Sequence, residues 1–389
     1  MDVVIVGAGT FGASLAWWLA RAGERVTLVD QFEPGDRRAS SGGETRLIRC
    51  SHGADPDYTA MARRARTLWR ELESETRERL LIECGIAWFA HREDGWESAS
   101  ERTMAAQGIP SERLDPAAGE RLFPSFRGDD LAFVLLEPEA GVLRAQRAVR
   151  ALATSAAGHG ARLVRGRARP AGDEVELEDG TRLAGDRVVW ACGGWLARLF
   201  DGLVSLTVTR QELLFVDGGP AWQAPGVPGW VDYDRAMYGT ADVDELGVKA
   251  ALDLEGAPLD PDDELVDEAT TEAGVRAYLR DRFPALERAR LAETRACRYE
   301  LSPDSHFIAA PHPEHAGVWI VGGGSGHGFK HGPAMAERLA AALTAGVPLP
   351  SRFALGERVP GSSFRSAGSG PTPPVSAPAR SHAPPAARG

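Results

Sequence analysis

Three glycines near the start of the chain, Gly7, Gly9 and Gly12, have the spacing Gly-x-Gly-x-x-Gly. An apolar run precedes them, an amphipathic stretch follows, and a second apolar run ends at Asp30, 18 residues beyond Gly12. This order predicts a strand, a tight turn, a helix and a parallel strand, with glycines where the backbone turns sharply or approaches a ligand. The helix N-terminus would bind a pyrophosphate, and Asp30 would bind a ribose hydroxyl. The sequence therefore predicts an adenine dinucleotide site, which the glycines alone do not assign to NAD or FAD.

Two later segments of the chain favour FAD. Residues 186–195 have the pattern of a strand that ends in a turn of small residues. Residues 318–330 have the pattern of a strand followed by a glycine-rich loop, and a helix is predicted at about 333–345. The N-terminus of that helix would face the loop and stabilise negative charge on a reduced flavin. A nucleotide domain built from separated segments is more typical of a flavoprotein oxidase than of a compact dehydrogenase.

The material between these segments predicts a second domain. The fold class is α/β plus α+β, a Rossmann-like FAD-binding domain with a mixed-sheet substrate domain. Strand-like runs at 210–216 and 247–254 and a helix at about 262–282 belong to the second domain. The last residues are rich in Ser, Pro, Ala and Gly and predict a disordered segment that folding does not need. The predicted ranges are 1–84, 141–204 and 305–355 for the FAD-binding domain, 85–140 and 205–304 for the substrate domain, and 361–389 for the disordered tail.

Composition excludes several classes of partner. The 55 acidic and 44 basic side chains give a net charge of −11, which argues against binding to nucleic acid or an anionic membrane. No apolar stretch reaches the roughly 18 residues of a membrane span, and the start of the chain does not resemble a secretory signal. The four cysteines have the spacing of neither a zinc site nor a disulfide framework. We therefore expect a cytoplasmic protein with free thiols and no metal and, since no heptad or long apolar edge is present, a monomer.

Four motifs along the chain resemble the monomeric sarcosine oxidase family, which also contains N-methyltryptophan oxidase and pipecolate oxidase. The resemblance extends from residue 2 to about residue 355. It implies an FAD enzyme of the D-amino-acid-oxidase-like superfamily that oxidises the C–N bond of a secondary amino acid to an imine. The electrons would pass to O2 and give hydrogen peroxide. The motifs are Gly7 to Gly12, Ser40 to Arg49, Arg295 to Tyr299, and Gly324 to Lys330.

The resemblance also implies roles at the cofactor. Lys249, which follows Tyr238 by 11 residues, corresponds to a lysine that activates oxygen. At about 4 Å and an effective dielectric of about 20, its charge would stabilise superoxide by roughly 4 kcal/mol, on the order of a thousandfold in rate. Cys297 would be joined through sulfur to the 8α carbon of the flavin, and the alternative is an inert buried cysteine. The cofactor-binding residues implied are Gly7, Gly9, Gly12, Asp30, Ser40, Thr45, Arg46, Cys297, Gly324, Gly326, Gly328 and Lys330.

A substrate site is implied next to the flavin. Arg46 and Lys330 correspond to a pair of cations that holds the substrate carboxylate by charge-assisted hydrogen bonds. Tyr238, Tyr299 and His327 would complete the pocket wall. The alternative for Arg46 is an ordinary surface charge in a chain rich in arginine. Each of the three ring residues has the alternative of a packed core position.

Two departures from the family pattern lie near this site. Asp253 stands where a histidine is usual, four residues past Lys249, and Ser41 and Gly42 replace a pair of histidines. Both put sarcosine itself in doubt as the substrate. An extra carboxylate suggests the hypothesis that the substrate carries a distal cationic group.

Alternative functions remain open at this point. A biosynthetic imino-acid oxidase or a flavin dehydrogenase would consume an amine but give little peroxide or a further-oxidised ring. A flavoprotein without turnover is a third possibility, and the intact motifs argue against it. One compositional observation favours the oxidase: only Lys249 and Lys330 among the 44 basic residues are lysine, and the resemblance asks for lysine at both positions.

Overall fold

The computed structural model describes residues 1–361, 363–365 and 367. Its strands are β1 (Asp2–Val6), β2 (Arg25–Asp30), β3 (Thr45–Ile48), β4 (Leu81–Glu83), β5 (Ile86–Ala90), β6 (Glu112–Leu114), β7 (Phe133–Glu137), β8 (Gly141–Arg144), β9 (Arg162–Arg165), β10 (Ala168–Ala171), β11 (Glu174–Leu177), β12 (Arg182–Leu183), β13 (Arg187–Trp190), β14 (Thr207–Val216), β15 (Gly229–Asp232), β16 (Met237–Thr240), β17 (Val248–Leu252), β18 (Leu291–Leu301), β19 (Ile308–Pro311) and β20 (Val318–Gly322). Its α-helices are α1 (Thr10–Arg21), α2 (Pro56–Thr76), α3 (Trp96–Ala106), α4 (Pro116–Gly119), α5 (Ala145–Gly158), α6 (Leu196–Leu199), α7 (Glu272–Arg282) and α8 (Gly332–Ala345).

A six-stranded sheet in the order β19-β20-β13-β1-β2-β9 forms the nucleotide-binding layer. Its strands are parallel except for β19, which runs antiparallel to β20. Val3 and Ile5 of β1 pack toward α1, α5 and α8, while Val4 and Val6 pack toward the small sheet β10-β11-β12. Both faces of β1 are therefore buried, which explains why its sequence is apolar without alternation.

The predicted glycine turn lies between β1 and α1. Gly7 has φ +107° and donates its N–H to the carbonyl of Val29 at 2.7 Å. A Cβ on Gly12 would lie 1.8 Å from the carbonyl oxygen of Gly7, so the first turn of α1 passes directly against the end of β1. The strand, turn, helix and strand predicted from the sequence are confirmed.

A second sheet of eight strands, in the order β18-β14-β17-β16-β15-β5-β7-β6, supports the other side of the site. Its neighbours are antiparallel except for the parallel pair β15 and β5, so the predicted mixed sheet is confirmed. One face packs on α7 and an aromatic cluster around Phe283. A three-stranded sheet, β3-β8-β4, carries the chain between the two large sheets.

The helix predicted at about 262–282 is shorter in the structure, since α7 begins at Glu272. The preceding residues form a loop because Thr270 and Thr271 donate hydrogen bonds to the carboxylate of Glu212 on β14. Those bonds fix the entry of the chain into α7 and hold this loop against the sheet.

The strands follow the predicted domain ranges. All six strands of the first large sheet lie in residues 1–84, 141–204 and 305–355, and all eight of the second lie in 85–140 and 205–304. The division into two domains stays a prediction. Within the described part of the chain, no helix combines the length and the apolar character that crossing a membrane requires.

The crossing of α1 over β1 gives a stability prediction. Gly12→Ala should lower the free energy of unfolding by about 3 kcal/mol or more, because the new methyl group meets backbone that cannot move aside. Gly158→Ala at the end of α5 is the matched control, since no heavy atom lies within 4 Å of its built Cβ. Thermal unfolding should give a markedly lower midpoint for the first variant only. Equal midpoints for the two variants would contradict the packing argument.

Candidate active site

A long cavity of about 1220 Å³, measured to its open mouth, follows the glycine turn and the carboxyl ends of β1, β2 and β13. Ligands bind at this edge of parallel sheets in α/β proteins. Its wall includes Gly7, Gly9, Thr10, Asp30, Ser40, Ser41, Arg46, Cys192, Trp195, Tyr299, Glu300, Gly324, Gly326, Gly328 and Phe329.

Asp30 lies at the end of β2 in this wall. One oxygen of its carboxylate accepts the N–H of Ala8 at 2.6 Å, and the other accepts the N–H of Phe32 at 2.7 Å. Burial raises the pKa of Asp30, and the two amides oppose that shift. Each carboxylate oxygen has a second lone pair, so the group can also accept a hydrogen bond from a ribose hydroxyl.

The anion-binding end of the cavity is the start of α1. Gly9 occupies the N-cap position and supplies no capping side chain, and the first turn of the helix holds no acidic residue. The hydroxyl oxygens of Ser41 and Thr45 are buried and make no hydrogen bond within the described residues. A Cβ on Gly9 would approach the Ser41 hydroxyl to 3.3 Å, so the glycine leaves backbone and hydroxyl open to one ligand. Gly9 and Ser41, which line the cavity, fit the diphosphate of a dinucleotide, whereas Thr45 lines neither cavity.

A second cavity of about 560 Å³ continues from the first. Arg46, Tyr299, Gly326 and Phe329 line both cavities. Five of the residues around the second cavity are basic and one, Asp253, is a carboxylate. The basic residues are Arg46, Arg49, Lys249, Lys330 and Arg365.

Arg46 and Lys249 meet at one carbonyl. The Thr45 carbonyl accepts Nη1 of Arg46 at 2.9 Å and Nζ of Lys249 at 3.4 Å. Nη2 of Arg46 donates to the carbonyls of Ser40 and Gly42, at 3.1 and 2.8 Å. Burial lowers the pKa of Lys249 to about 7, and the charge of Arg46 adds to this effect. Lys249 is thus a buried cation that titrates near neutral pH.

Lys330 and Arg49 form the other basic pair. Nζ of Lys330 donates to the carbonyl of His327 at 2.9 Å. Nη2 of Arg49 donates to the carbonyl of Phe364 at 2.6 Å, and Nη1 to that of Ser51. Burial, followed by the charge of Arg49, holds the pKa of Lys330 well below its usual value.

The hydrogen bonds group the basic residues differently from the predicted clamp, but Arg46 and Lys330 both line the second cavity, so the clamp stays a prediction. Arg46, which the sequence pairs with Lys330, lies with Lys249, and Arg49 is the guanidinium whose charge acts on Lys330. Arg49 belongs to the same motif as Arg46, three residues further along β3 and its exit. Nothing in the residue types alone separates the two arginines.

Tyr238 and Tyr299 form one side of the second cavity, and Cys297 packs against them without lining either cavity. The two phenol oxygens are 3.3 Å apart, and burial raises the pKa of both. Cys297 is 5% exposed and packs in the same apolar cluster as the two tyrosines. Burial raises the pKa of its thiol, while the charges of Arg46 and Lys249 act to lower it. Cys297 and Tyr299 are two residues apart on β18, so their side chains lie on the same face of the strand.

Three buried histidines adjoin the second cavity. His327, a predicted wall residue, lines the cavity, bonds the carbonyl of Ser305 through Nε2 at 2.9 Å, and leaves Nδ1 without a partner in the described structure. A nitrogen atom of each ring lies within 4.8 Å of the other two, so His52, His327 and His331 have the spacing of a metal site. Burial first and the charge of Lys330 next hold the pKa values of all three well below 6.5. That neighbouring charge disfavours a metal cation here.

The sequence did not indicate His52 or His331. They lie 279 residues apart in the chain, and neither belongs to a spacing that suggests ligands. Arg365 was also not anticipated. It pairs with Asp253, which the sequence indicated near the site, and it lies in the segment predicted to be disordered. The rest of the predicted tail, from residue 368, lies outside the described residues.

Comparisons with known proteins agree with this geometry. The family model described as FAD dependent oxidoreductase matches residues 2–342. The monomeric sarcosine oxidase of Bacillus sp. (strain B-0618) is 30% identical over 357 residues, which cover 87% of this chain and 90% of that protein. The N-methyl-L-tryptophan oxidase of Yersinia pestis (strain Pestoides F) is 29% identical over 350 residues, which cover 86% of this chain and 93% of that protein. Among solved structures, L-proline dehydrogenase from P. horikoshii has the same fold, with a TM-score of 0.77 and 20% identity. The match covers 89% of this chain and 93% of that one.

Proposed function

Because this chain belongs to the FAD-dependent oxidoreductase family, and within it to the monomeric sarcosine oxidase family, we propose that it oxidises the C–N bond of a secondary amino acid. The substrate is an N-methyl or cyclic amino acid, the oxidant is O2, and the products are an imine and hydrogen peroxide. The observation that carries this proposal is the second cavity, which joins the cofactor cavity and is lined by five basic side chains and one carboxylate. Such a cavity suits a small molecule with a carboxylate.

Arg49 and Lys330 are the residues that we propose hold the substrate carboxylate. Both line the second cavity, and main-chain carbonyls orient both side chains. An arginine and a lysine around one carboxylate give charge-assisted hydrogen bonds that fix its orientation. Fixing the carboxylate also fixes the carbon and nitrogen that must face the cofactor.

The charge of the cavity also favours the reactive form of the amine. A secondary amine in water is mostly protonated at neutral pH, and a protonated nitrogen has no lone pair for oxidation. Nearby cations lower the pKa of a bound ammonium group, which releases its proton to solvent. The neutral phenols of Tyr238 and Tyr299 line this side of the site and can accept or donate a hydrogen bond without adding charge. FAD, when bound, supplies the two-electron acceptor for this bond.

Lys249 is the residue that we propose assists the reaction with O2. It is 2% exposed, and its ammonium lies 5.2 Å from the ring centre of Tyr238, next to the part of the wall that both cavities share. Electron transfer to O2 creates superoxide, and a compact ammonium stabilises this charge better than a delocalised guanidinium does. The role requires the protonated form of the side chain.

The function is tested by mixing the purified holoenzyme with N-methyl and cyclic amino acids without oxygen. We expect loss of the flavin absorbance near 450 nm with at least one secondary amino acid, and one peroxide per substrate when oxygen is admitted. Bleaching with peroxide well below one per substrate would favour the dehydrogenase alternative, and peroxide above one per substrate would favour the imino-acid oxidase, because each further two-electron oxidation of the ring gives another peroxide. No bleaching with any secondary amine would overturn the proposed function.

Lys249→Met should slow reoxidation of the reduced enzyme by O2 on the order of a thousandfold, as loss of a charge a few ångströms away implies. Reduction by substrate should change little. Because burial lowers the pKa of Lys249 to about 7, the protonated form is lost as the pH rises through 7, and reoxidation by the parent enzyme should slow over that range. Stopped-flow rates between pH 6 and 9 check this, with Lys249→Arg as the matched variant that keeps a charge. A parent rate that does not change with pH would contradict the role.

Cys297 is the residue that we propose links the flavin covalently. Its thiol is buried, which raises its pKa, while the charges of Arg46 and Lys249 favour the thiolate. The new C–S bond would replace a C–H bond at the 8α carbon: the proton would leave, the flavin would accept the two electrons, and O2 would take them up. A thioether carries no charge, so the link would also remove the cost of burying that thiolate. Acid precipitation should leave the yellow colour in the protein pellet, and Cys297→Ser should release it to the supernatant. Cys192→Ser is the control. Colour released from the parent protein would contradict the link.

A further inference from the structure

We propose that Arg365 determines which amino acids this enzyme accepts, by neutralising Asp253 in the wall of the substrate cavity. The segment after α8 thereby excludes amino acids with a distal cation and favours those whose side chain is neutral. This inference rests on the proposed function and names the substrate class of the same site.

The segment that carries Arg365 is held against the site at several points. Tyr233 donates its hydroxyl to the carbonyl of Ser363 at 3.1 Å, and its own carbonyl accepts the N–H of Ala367 at 3.0 Å. The ring of Phe364 lies 4.9 Å from that of Tyr58 and 5.1 Å from that of His327. The segment therefore forms part of the wall of the site.

Arg365 itself is as buried as a core residue, at 6% exposure. Its Nη1 donates to Oδ1 of Asp253 at 2.8 Å, and its guanidinium lies 5.0 Å from the ring centre of Tyr299. A Cβ on Gly326 would lie 2.2 Å from Cδ of Arg365. The side chain of Arg365 thus occupies the space that the glycine-rich loop leaves open, between the cofactor cavity and Asp253.

Asp253 explains why this cation matters. Among the described residues, it is the one carboxylate that lines the substrate cavity, and burial raises its pKa while the charge of Arg365 lowers it. Without Arg365, its negative charge would repel the substrate carboxylate and attract an ammonium group at the far end of the substrate. Arg365 cancels both effects, so the hypothesis of a substrate with a distal cation does not follow from Asp253 in this structure.

The pair can be tested by a charge cycle with substrates of similar size. We would measure kcat/KM for N-methyl-L-leucine, Nα-methyl-L-lysine and N-methyl-L-glutamate with the parent, Arg365→Gln, Asp253→Asn and the double variant. The parent should prefer the leucine derivative. Arg365→Gln should shift the lysine-to-leucine ratio toward the cation by about 10- to 100-fold, mainly through KM, because the buried carboxylate of Asp253 then loses the cation bonded to it.

Asp253→Asn leaves an unpaired positive charge, and the double variant removes both charges. Asp253→Asn should shift the glutamate-to-leucine ratio toward the second carboxylate by about 10-fold or more, because Arg365 then lacks its partner. The double variant should return both ratios to within about threefold of the parent, since neither charge remains. A general loss of packing would lower kcat/KM for all three substrates together and would not reverse a ratio.

Arg358→Gln is the matched control. Arg358 precedes Arg365 on the same segment, and its side chain is 6% exposed, compared with 5% for that of Arg365. It pairs with Asp304 at 2.8 Å, the distance at which Arg365 pairs with Asp253. Unlike Arg365, it lines neither cavity. It should leave both ratios unchanged. If Arg365→Gln does not fold, Arg365→Lys and Asp253→Asn carry the test: the first should keep the parent ratios and the second should shift them.

The inference fails if Arg365→Gln and Asp253→Asn keep the parent ratios, or if the double variant does not restore them. Failure of the proposed function looks different, because then the parent flavin is not reduced by any of the three amino acids.

Discussion

The active site depends on main-chain carbonyls that hold buried cations. Arg46 donates hydrogen bonds to the carbonyls of Ser40, Gly42 and Thr45. Lys249 donates one to the same Thr45 carbonyl. Arg49 donates a hydrogen bond to the carbonyl of Phe364, and Lys330 donates one to the carbonyl of His327. A carbonyl supplies a dipole and a lone pair without supplying a negative charge, so these bonds orient the cations without neutralising them, and the carboxylates of Glu137 and Asp253 act on Arg49 only from beyond ion-pair distance. A bound carboxylate, or electrons placed on the cofactor, would bring a negative charge close to these cations.

This arrangement explains why two sheets are needed. The glycine turn and α1 set one wall, since Gly12 allows the helix to press against β1 and leaves its N-terminus open to phosphate. The second sheet carries Lys249 on β17 and Tyr299 on β18, and β3 brings Arg46 between them. The cations therefore lie where the sheets meet, away from water, and there a fixed charge has its largest effect.

Much of this could be predicted from the sequence, and the remainder has a physical reason. The turn at Gly7 to Gly12 is local, since strand, glycine and helix patterns follow one another within 30 residues. Both lysines could be singled out because the chain otherwise uses arginine. The partner of Asp253 could not, since Arg365 is 112 residues away in a stretch whose composition indicates disorder. Composition predicts whether a segment can bury its own core, and a short segment that docks on an existing site does not need one.

The survival of two lysines in an arginine-rich chain follows from donor counts. A buried guanidinium presents five N–H groups that need acceptors, whereas an ammonium presents three. The buried arginines show this cost, since Nε of Arg298 and Nε of Arg365 lack a partner within the described residues. Lys330 reaches a carbonyl only three residues back in the chain, inside a short turn between the glycine loop and α8. A longer, planar group at this position would have to displace the backbone or leave more donors unpaired, and at Lys249 it would spread the charge that the proposed reaction with O2 needs in one place. Arginine would therefore be a poor replacement at these two buried positions, and a lysine in such an arginine-rich chain indicates where a compact buried cation is required.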